Sequence, residues 1–138
     1  MQVHSGHALK SASNNISSAA WWHPAARYEG EDIFGSTQKY VDLFKATYGT
    51  VPDYGEASAS VSGAIFQIAL KKAGKLDADA VRDALASLNV KTFWGPVHFG
   101  ANGQIDSLKP PVFQIQDEKT LVLLPEEIKQ GELKFGIG

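Results

Sequence analysis

Four histidines are the side chains of this sequence best suited to bind a metal ion or to move protons. His4 and His7 stand three residues apart, a spacing that could place both on one face of a helix. Metal-binding pairs of this kind usually have a carboxylate close by, and none stands near these two in the sequence. We therefore interpret His4 and His7 as surface histidines, expect His98 to face solvent, and predict no metal site.

Carboxylates form two local clusters. The first, which lies within two turns of a predicted helix, comprises Asp77, Asp79 and Asp83. Carboxylates near the amino end of a helix cap it and stabilise its dipole, which accounts for this cluster without a metal. The second, which lies in a predicted loop where we expect solvated side chains, comprises Glu29, Glu31 and Asp32.

Catalytic motifs are absent from the sequence. The chain contains no cysteine, which excludes thiol nucleophiles and thiolate metal sites. It contains neither of the two glycine-rich phosphate-binding patterns nor the GxSxG nucleophile turn. No acid–base pair stands at motif spacing. We therefore predict a protein that is not an enzyme, has no catalytic residue and uses no cofactor.

The net charge and the hydropathy of the chain limit the classes of partner that it could bind. Lys and Arg number 13 against 15 Asp and Glu, so the net charge is −2. This balance argues against nucleic acid, whose binders carry basic stripes, and against an anionic membrane surface. No apolar run is long enough to span a bilayer, and residues 1–10 lack the basic flank and apolar stretch of a signal peptide. We expect one soluble domain without a signal peptide, either cytosolic or part of a longer protein.

Apolar periodicity predicts three helices, over residues 36–48, 56–73 and 77–88. Their expected boundary residues are Ser36, Gly49, Gly74, Asp77 and the left-handed terminator Asn89. Strands are predicted at 16–22, beside an Asn102-Gly103 turn, and as a hairpin of 112–116 with 120–124. These few short strands leave the apolar helix stripes uncovered, so we expect a homo-oligomer or a domain-swapped dimer.

A series of short motifs runs from residue 21 to residue 125. It comprises Trp22-His23-Pro24, Phe34-Gly35-Ser36, Ile68-Ala69-Leu70-Lys71-Lys72-Ala73-Gly74, Thr92-x-x-Gly95-Pro96-Val97-His98-Phe99, Asn102-Gly103 and Val112-Phe113-Gln114-Ile115-Gln116. In this order the motifs resemble the C-terminal part of type I periplasmic substrate-binding proteins of the branched-chain amino acid class, which serve ABC importers. The resemblance covers nearly all of this chain but only about the last third of a family member.

The resemblance implies an α/β fold of two lobes joined by crossovers, with ligand held between the lobes. The chain would be a helix-rich C-terminal fragment of that fold, with short strands and hairpins. Residues 1–25 and 110–138 would be segments of the second lobe, and residues 26–109 a segment of the first. The parallel strands that the sequence lacks would belong to the preceding two-thirds of a family member.

The resemblance also implies a function: part of an ABC-transporter solute-binding receptor for amino acids or similar small carboxylates. Its partners would be that ligand and the ABC permease, and the full-length family member is periplasmic. The residues that we expect to line the ligand cleft or the hinge are Trp21, Trp22, His23, Tyr54, Glu56 and Ser60. A tryptophan could wall off an apolar ligand body and Glu56 could meet an ammonium group. Family members often carry an aromatic residue near the cleft where this chain has Ala59-Ser60-Val61-Ser62-Gly63, and a small residue there either leaves room for a bulkier ligand or merely repacks the lobe.

Two other interpretations are open at this stage. The chain could belong to a ligand sensor built on the same fold, or it could be a truncated, assembly-forming fragment without ligand binding. Family members bind the ligand's carboxylate and amino group mostly through residues upstream of this region. We therefore expect the chain alone to bind leucine-like ligands weakly or not at all.

Overall fold

The computed structural model describes residues 10–136, which divide into two compact units. Within the described range, the terminal unit comprises residues 10–26 and 109–136, and the central unit comprises Arg27–Leu108. His4 and His7 lie outside the described residues. A 3₁₀ turn, Lys10–Ser13, precedes the first strand.

The regular elements follow one another as short strands and three helices. In chain order they are β1 (Ser17–Ala19), α1 (Thr37–Tyr48), α2 (Tyr54–Ala73), α3 (Ala78–Ala86), β2 (Asn89–Thr92), β3 (Gly95–His98), β4 (Val112–Gln116) and β5 (Lys119–Leu124). A second 3₁₀ turn, Glu126–Ile128, follows β5. No helix among residues 10–136 is both long and apolar enough to cross a membrane.

The terminal unit contains an antiparallel sheet in the order β1-β4-β5. The predicted β4–β5 hairpin is confirmed, and its two turn residues, Asp117 and Glu118, have φ of 52° and 62°. Positive φ at both central residues is the requirement of the type I′ turn, which matches the twist of the strands. Gln114 and Gln116 of β4 are buried and hydrogen-bond to the backbone of the later segment 132–134.

Capping residues mark the ends of the helices in the central unit. Ser36 Oγ accepts a hydrogen bond from Lys39 N, and α1 ends at Gly49 with φ of 77°. Asp53 and Glu56 form a reciprocal capping box, so α2 begins two residues earlier than predicted. These caps satisfy backbone N–H groups that the first turn of a helix cannot satisfy internally.

One predicted boundary is wrong. Asn89 does not end a helix: α3 ends before Ser87, and Asn89 begins β2, where it pairs with His98 of β3. The pairing satisfies backbone hydrogen-bonding groups of residues 89–92. The hairpin of β2 and β3 was not predicted from the sequence. The predicted Asn102-Gly103 turn is confirmed, because Gly103 has φ of 76° and the turn is followed by an antiparallel bridge between Phe99 and Ile105.

The apolar stripes of α2 and α3 are covered within the central unit, contrary to the expectation from the sequence, whereas Tyr48 at the end of α1 is exposed. Val61 and Ile65 of α2 and Val81 of α3 are all buried. The reason is that α2 packs against α3, and that α1 packs its Tyr40 ring on Phe93 of the β2–β3 turn. Helix stripes can thus cover one another where few strands are present.

Candidate functional site

Three predicted site residues lie in the terminal unit, just after β1. Trp21 is 52% exposed and Trp22 is 2% exposed. Neither lies on the strand, because β1 ends at Ala19 and is shorter than predicted. His23 is half-buried: its ring lies 5.1 Å from that of Phe113, and its Nδ1 accepts a hydrogen bond from Ala25 N. Trp21 is therefore the member of this set whose ring is available at the surface.

The other three predicted site residues lie on the first two turns of α2 in the central unit. Tyr54 is 45% exposed, and its ring centroid lies 5.4 Å from that of Trp94. Ser60 Oγ lies 3.0 Å from Tyr40 Oη. Glu56 is exposed, and its Oε2 accepts the hydrogen bond from Asp53 N that completes the capping box. The helix thus presents an aromatic ring, a hydroxyl and a carboxylate within two turns.

The β2–β3 turn that carries Trp94 is held by buried side chains at several backbone groups. Phe93 N donates to Asp32 Oδ2 at 2.6 Å, and Phe93 O accepts from Thr37 Oγ1 at 2.7 Å. Trp94 N donates to Thr92 Oγ1 at 3.2 Å. Because these bonds fix the backbone on both sides of Trp94, the indole, which is 5% exposed, is held firmly behind Tyr54.

The interpretation of Asp32 as a solvated loop residue is wrong. Asp32 is 8% exposed and accepts hydrogen bonds at both carboxylate oxygens, from Phe34 N at 2.8 Å and from Phe93 N. Its neighbours Glu29 and Glu31 are exposed, as expected. A side chain at Gly30 would place its Cβ 2.5 Å from Asp32 Oδ2 and 2.7 Å from Phe93 N, so glycine permits this approach. The Gly30-x-Asp32 pair is the signal that could have found it.

A cluster of three aromatic rings lies beside α2, where its member Tyr40 contacts Ser60. The Tyr40 and Phe93 rings stack at 4.2 Å, and the Phe34 ring meets each of them edge-on at 5.0 Å. Burial raises the pKa of Tyr40 above its ordinary value, while the hydrogen bond with Ser60 acts in the opposite direction. The cluster gives the site rigidity and a hydroxyl pair, but it assembles no nucleophile with its base.

The remaining candidate ligands have local partners. Asp77 caps α3 through Ala80 N, as predicted, and Asp79 and Asp83 both pair with Arg82. His98 is half-exposed, and its Nδ1 lies 2.7 Å from Asp106 Oδ1. Within the described range 10–136, no group of three or more His, Asp or Glu side chains could hold a metal ion.

The described part of the chain combines three helices with short antiparallel strands, and comparison with known proteins gives its family. Residues 2–118 match the sequence profile of the periplasmic binding protein family, and the chain belongs to that family. Its fold is similar to that of the leucine-binding protein LivK of Thermotoga maritima, with a TM-score of 0.58 and 17% sequence identity. The match covers 85% of this chain and 33% of LivK, so the chain spans about a third of that protein's length. The predicted fold class and the resemblance to part of a type I periplasmic binding protein are confirmed.

Proposed function

We propose that this chain is the C-terminal portion of a solute-binding receptor for amino acids or similarly small carboxylates, and that it binds without bond chemistry. The observation that carries the proposal is the family match over residues 2–118. The similarity to LivK, whose name states that it binds leucine, supports an amino acid as ligand. For the full-length protein we propose a periplasmic location and an ABC permease as partner.

We assign residues 26–109 to the first lobe of the family fold, and residues 1–25 and 110–138 to the second. The division of the chain after Ala26 and after Leu108 supports this assignment. A chain that leaves one compact unit and returns to it once is what two of the family's crossovers would produce.

In the central unit, Tyr54 and Ser60 are the residues that we propose for ligand contact. The half-exposed Tyr54 ring, backed by Trp94, suits an apolar ligand body. The Ser60 hydroxyl suits a polar ligand atom, and the exposed carboxylate of Glu56 suits an ammonium group. In the terminal unit, the exposed ring supports contact by Trp21, whereas burial supports a framework role for Trp22 and His23.

A calorimetric titration of the protein expressed from its complete reading frame tests this assignment. Replacing Tyr54 with alanine is expected to lower the affinity for the bound amino acid by about tenfold, since an aromatic contact of about 1.4 kcal/mol is lost. Tyr48→Ala, which removes an exposed tyrosine from the end of α1, is the matched control and is expected to leave affinity unchanged. Equal effects of the two variants would contradict the assignment of Tyr54.

We also propose that the chain by itself forms a homo-oligomer. The reason is the exposure of single large apolar side chains, and not the uncovered helix stripes that were expected from the sequence. Large apolar side chains are exposed in both units, among them Leu76 at 92%, Phe135 at 88% and Ile33 at 69%. A second copy could cover such surface, and a stable interface would bury more than about 2,000 Å². Light scattering after gel filtration tests this, and a folded monomer at micromolar concentration would refute it.

A further inference from the structure

The carboxylate of Asp32 joins two parts of the central unit that are distant in sequence. One oxygen accepts from Phe34 N in its own loop, and the other accepts from Phe93 N in the β2–β3 turn. A carboxylate is the side chain of this length that can accept at both positions, because an asparagine offers one oxygen and an NH₂ group. Gly30 lies against this contact, since a Cβ there would come within 2.5 Å of Asp32 Oδ2 and 2.7 Å of Phe93 N.

Two series of contacts lead from Asp32 to α2, one to Tyr54 and the other to Ser60. In the first, the bonded Phe93 amide fixes the turn, the turn fixes Trp94, and Trp94 packs against Tyr54. In the second, the Phe93 ring stacks on Tyr40, whose hydroxyl lies 3.0 Å from Ser60 Oγ. Both series therefore end at the two α2 residues assigned to ligand contact.

We propose that Asp32 is a positioning residue, which sets the Tyr54 ring and the Ser60 hydroxyl in the geometry that a ligand with an apolar body requires. Its action is indirect, since its own oxygens are occupied by backbone amides of residues 34 and 93. The proposal has two steps. The first is the placement of Trp94 and Tyr40 by Asp32, which does not depend on the proposed function. The second, the ligand step, is the effect of this placement on ligand binding, and it rests on the proposed function.

Fluorine NMR of the chain labelled with fluorotryptophan tests the placement. The wild-type spectrum is expected to contain one resonance for each of the three tryptophans. The resonance that is missing from the spectrum of Trp94→Phe is that of Trp94. Asp32→Asn is expected to shift the Trp94 resonance beyond its line width and to leave that of Trp21 in place. Asp42→Asn, which changes an exposed carboxylate bonded to Gln38, is the matched control and should shift neither. A cooperatively folded Asp32→Asn chain with an unmoved Trp94 resonance would overturn the proposal.

Calorimetry on the protein from its complete reading frame, with L-leucine and L-phenylalanine as probes, tests the ligand step. Asp32→Asn is expected to weaken binding by about tenfold or more, as for a lost charge-assisted hydrogen bond, while Asp42→Asn binds as wild type. If Asp32 had a purely structural role, Asp32→Asn would lower the melting temperature and leave the affinity of the folded variant unchanged, and this result would overturn the ligand step. If the wild type binds neither probe, the ligand step fails because a leucine-like or phenylalanine-like ligand is excluded, and the fluorine spectrum alone judges the placement.

A second variant serves if Asp32→Asn does not fold. Asp32→Glu keeps the charge and lengthens the side chain by one methylene group, so the carboxylate cannot meet both amides in the wild-type geometry, and the same Trp94 shift is expected. If neither variant melts cooperatively, Trp94→Leu tests the end of the first contact series in the binding assay. Unchanged affinity in that variant would overturn the proposal.

Discussion

Replacing Thr37 with valine removes one hydroxyl from the interior of the central unit with little change in side-chain size. Thr37 is fully buried at the start of α1. Its Oγ1 donates to Phe93 O at 2.7 Å and accepts from Tyr28 N at 3.1 Å. Valine offers neither bond, so the variant loses a partner for one carbonyl and one N–H at a buried position.

The expected loss follows from these two bonds. A buried backbone group that loses its partner costs about 1–3 kcal/mol, so two cost about 2–6 kcal/mol. The added methyl group returns about 0.8 kcal/mol through apolar burial. We expect a net loss of about 1–5 kcal/mol in the free energy of unfolding, set against the ~5–15 kcal/mol of a typical domain.

Urea denaturation followed by circular dichroism measures this loss. With a slope of about 2 kcal/mol per molar urea, the middle of the usual range, the midpoint should fall by roughly 0.5–2.5 M. Thr47→Val on the same helix is the matched control, because Thr47 is exposed and its hydroxyl donates only to Leu43 O within α1. We expect that control to change stability by less than about 0.5 kcal/mol. If the two variants are equally stable, the hydroxyl of Thr37 does not hold the turn.

Three further predictions concern ionisation, turn geometry and exposure. Burial raises the pKa of Tyr40, so the folded state keeps a proton that the unfolded chain releases near pH ~10, and the free energy of unfolding falls as pH rises above that value. Tyr40→Phe should reduce this fall in urea denaturation at high pH. Glu118→Gly should raise stability by about 0.5–1 kcal/mol in a thermal melt, because φ at this position is 62°. Trp21→Phe should remove most of the fluorescence quenching by acrylamide, since Trp22 and Trp94 are buried.

Each of these predictions has a control. Tyr48→Phe, at an exposed tyrosine, should leave the alkaline loss of stability as in the wild type, and equal curves for all three chains would contradict the first prediction. Lys119→Gly, at a strand residue beside the turn, should destabilise, so a stabilising effect there would show that turn geometry is not the cause. Strong quenching that survives Trp21→Phe would place a second indole at the surface.

Local signals predicted the parts of the fold that depend on neighbouring residues. Ser36 and Gly49 bound α1, and Gly74 ends α2, because a cap satisfies backbone groups within one helical turn. The β4–β5 hairpin was readable for the same reason, since its two-residue turn joins strands that pair directly. Chemistry within a few residues is enough to decide such features.

Features that depend on distant contacts were missed. Asp32 bonds to Phe93 across 61 positions in the sequence, and its cluster with two exposed glutamates concealed its burial. The strand at Asn89 exists because it pairs with His98, while the residue type suggested a helix terminator. Of the candidate site residues, Tyr54 and Ser60 were named from the sequence, but Trp94, which packs behind Tyr54, was not.

The most direct test of the central claim, that this chain is part of a solute-binding protein, is one calorimetric comparison. Amino acids and other small carboxylates are titrated into the protein expressed from its complete reading frame and into the 138-residue chain alone. We predict one-site binding of at least one amino acid or small carboxylate by the former, and no binding tighter than the micromolar range by the latter. Submicromolar binding by the chain alone, or no binding of any ligand by the protein from the complete reading frame, would contradict the account.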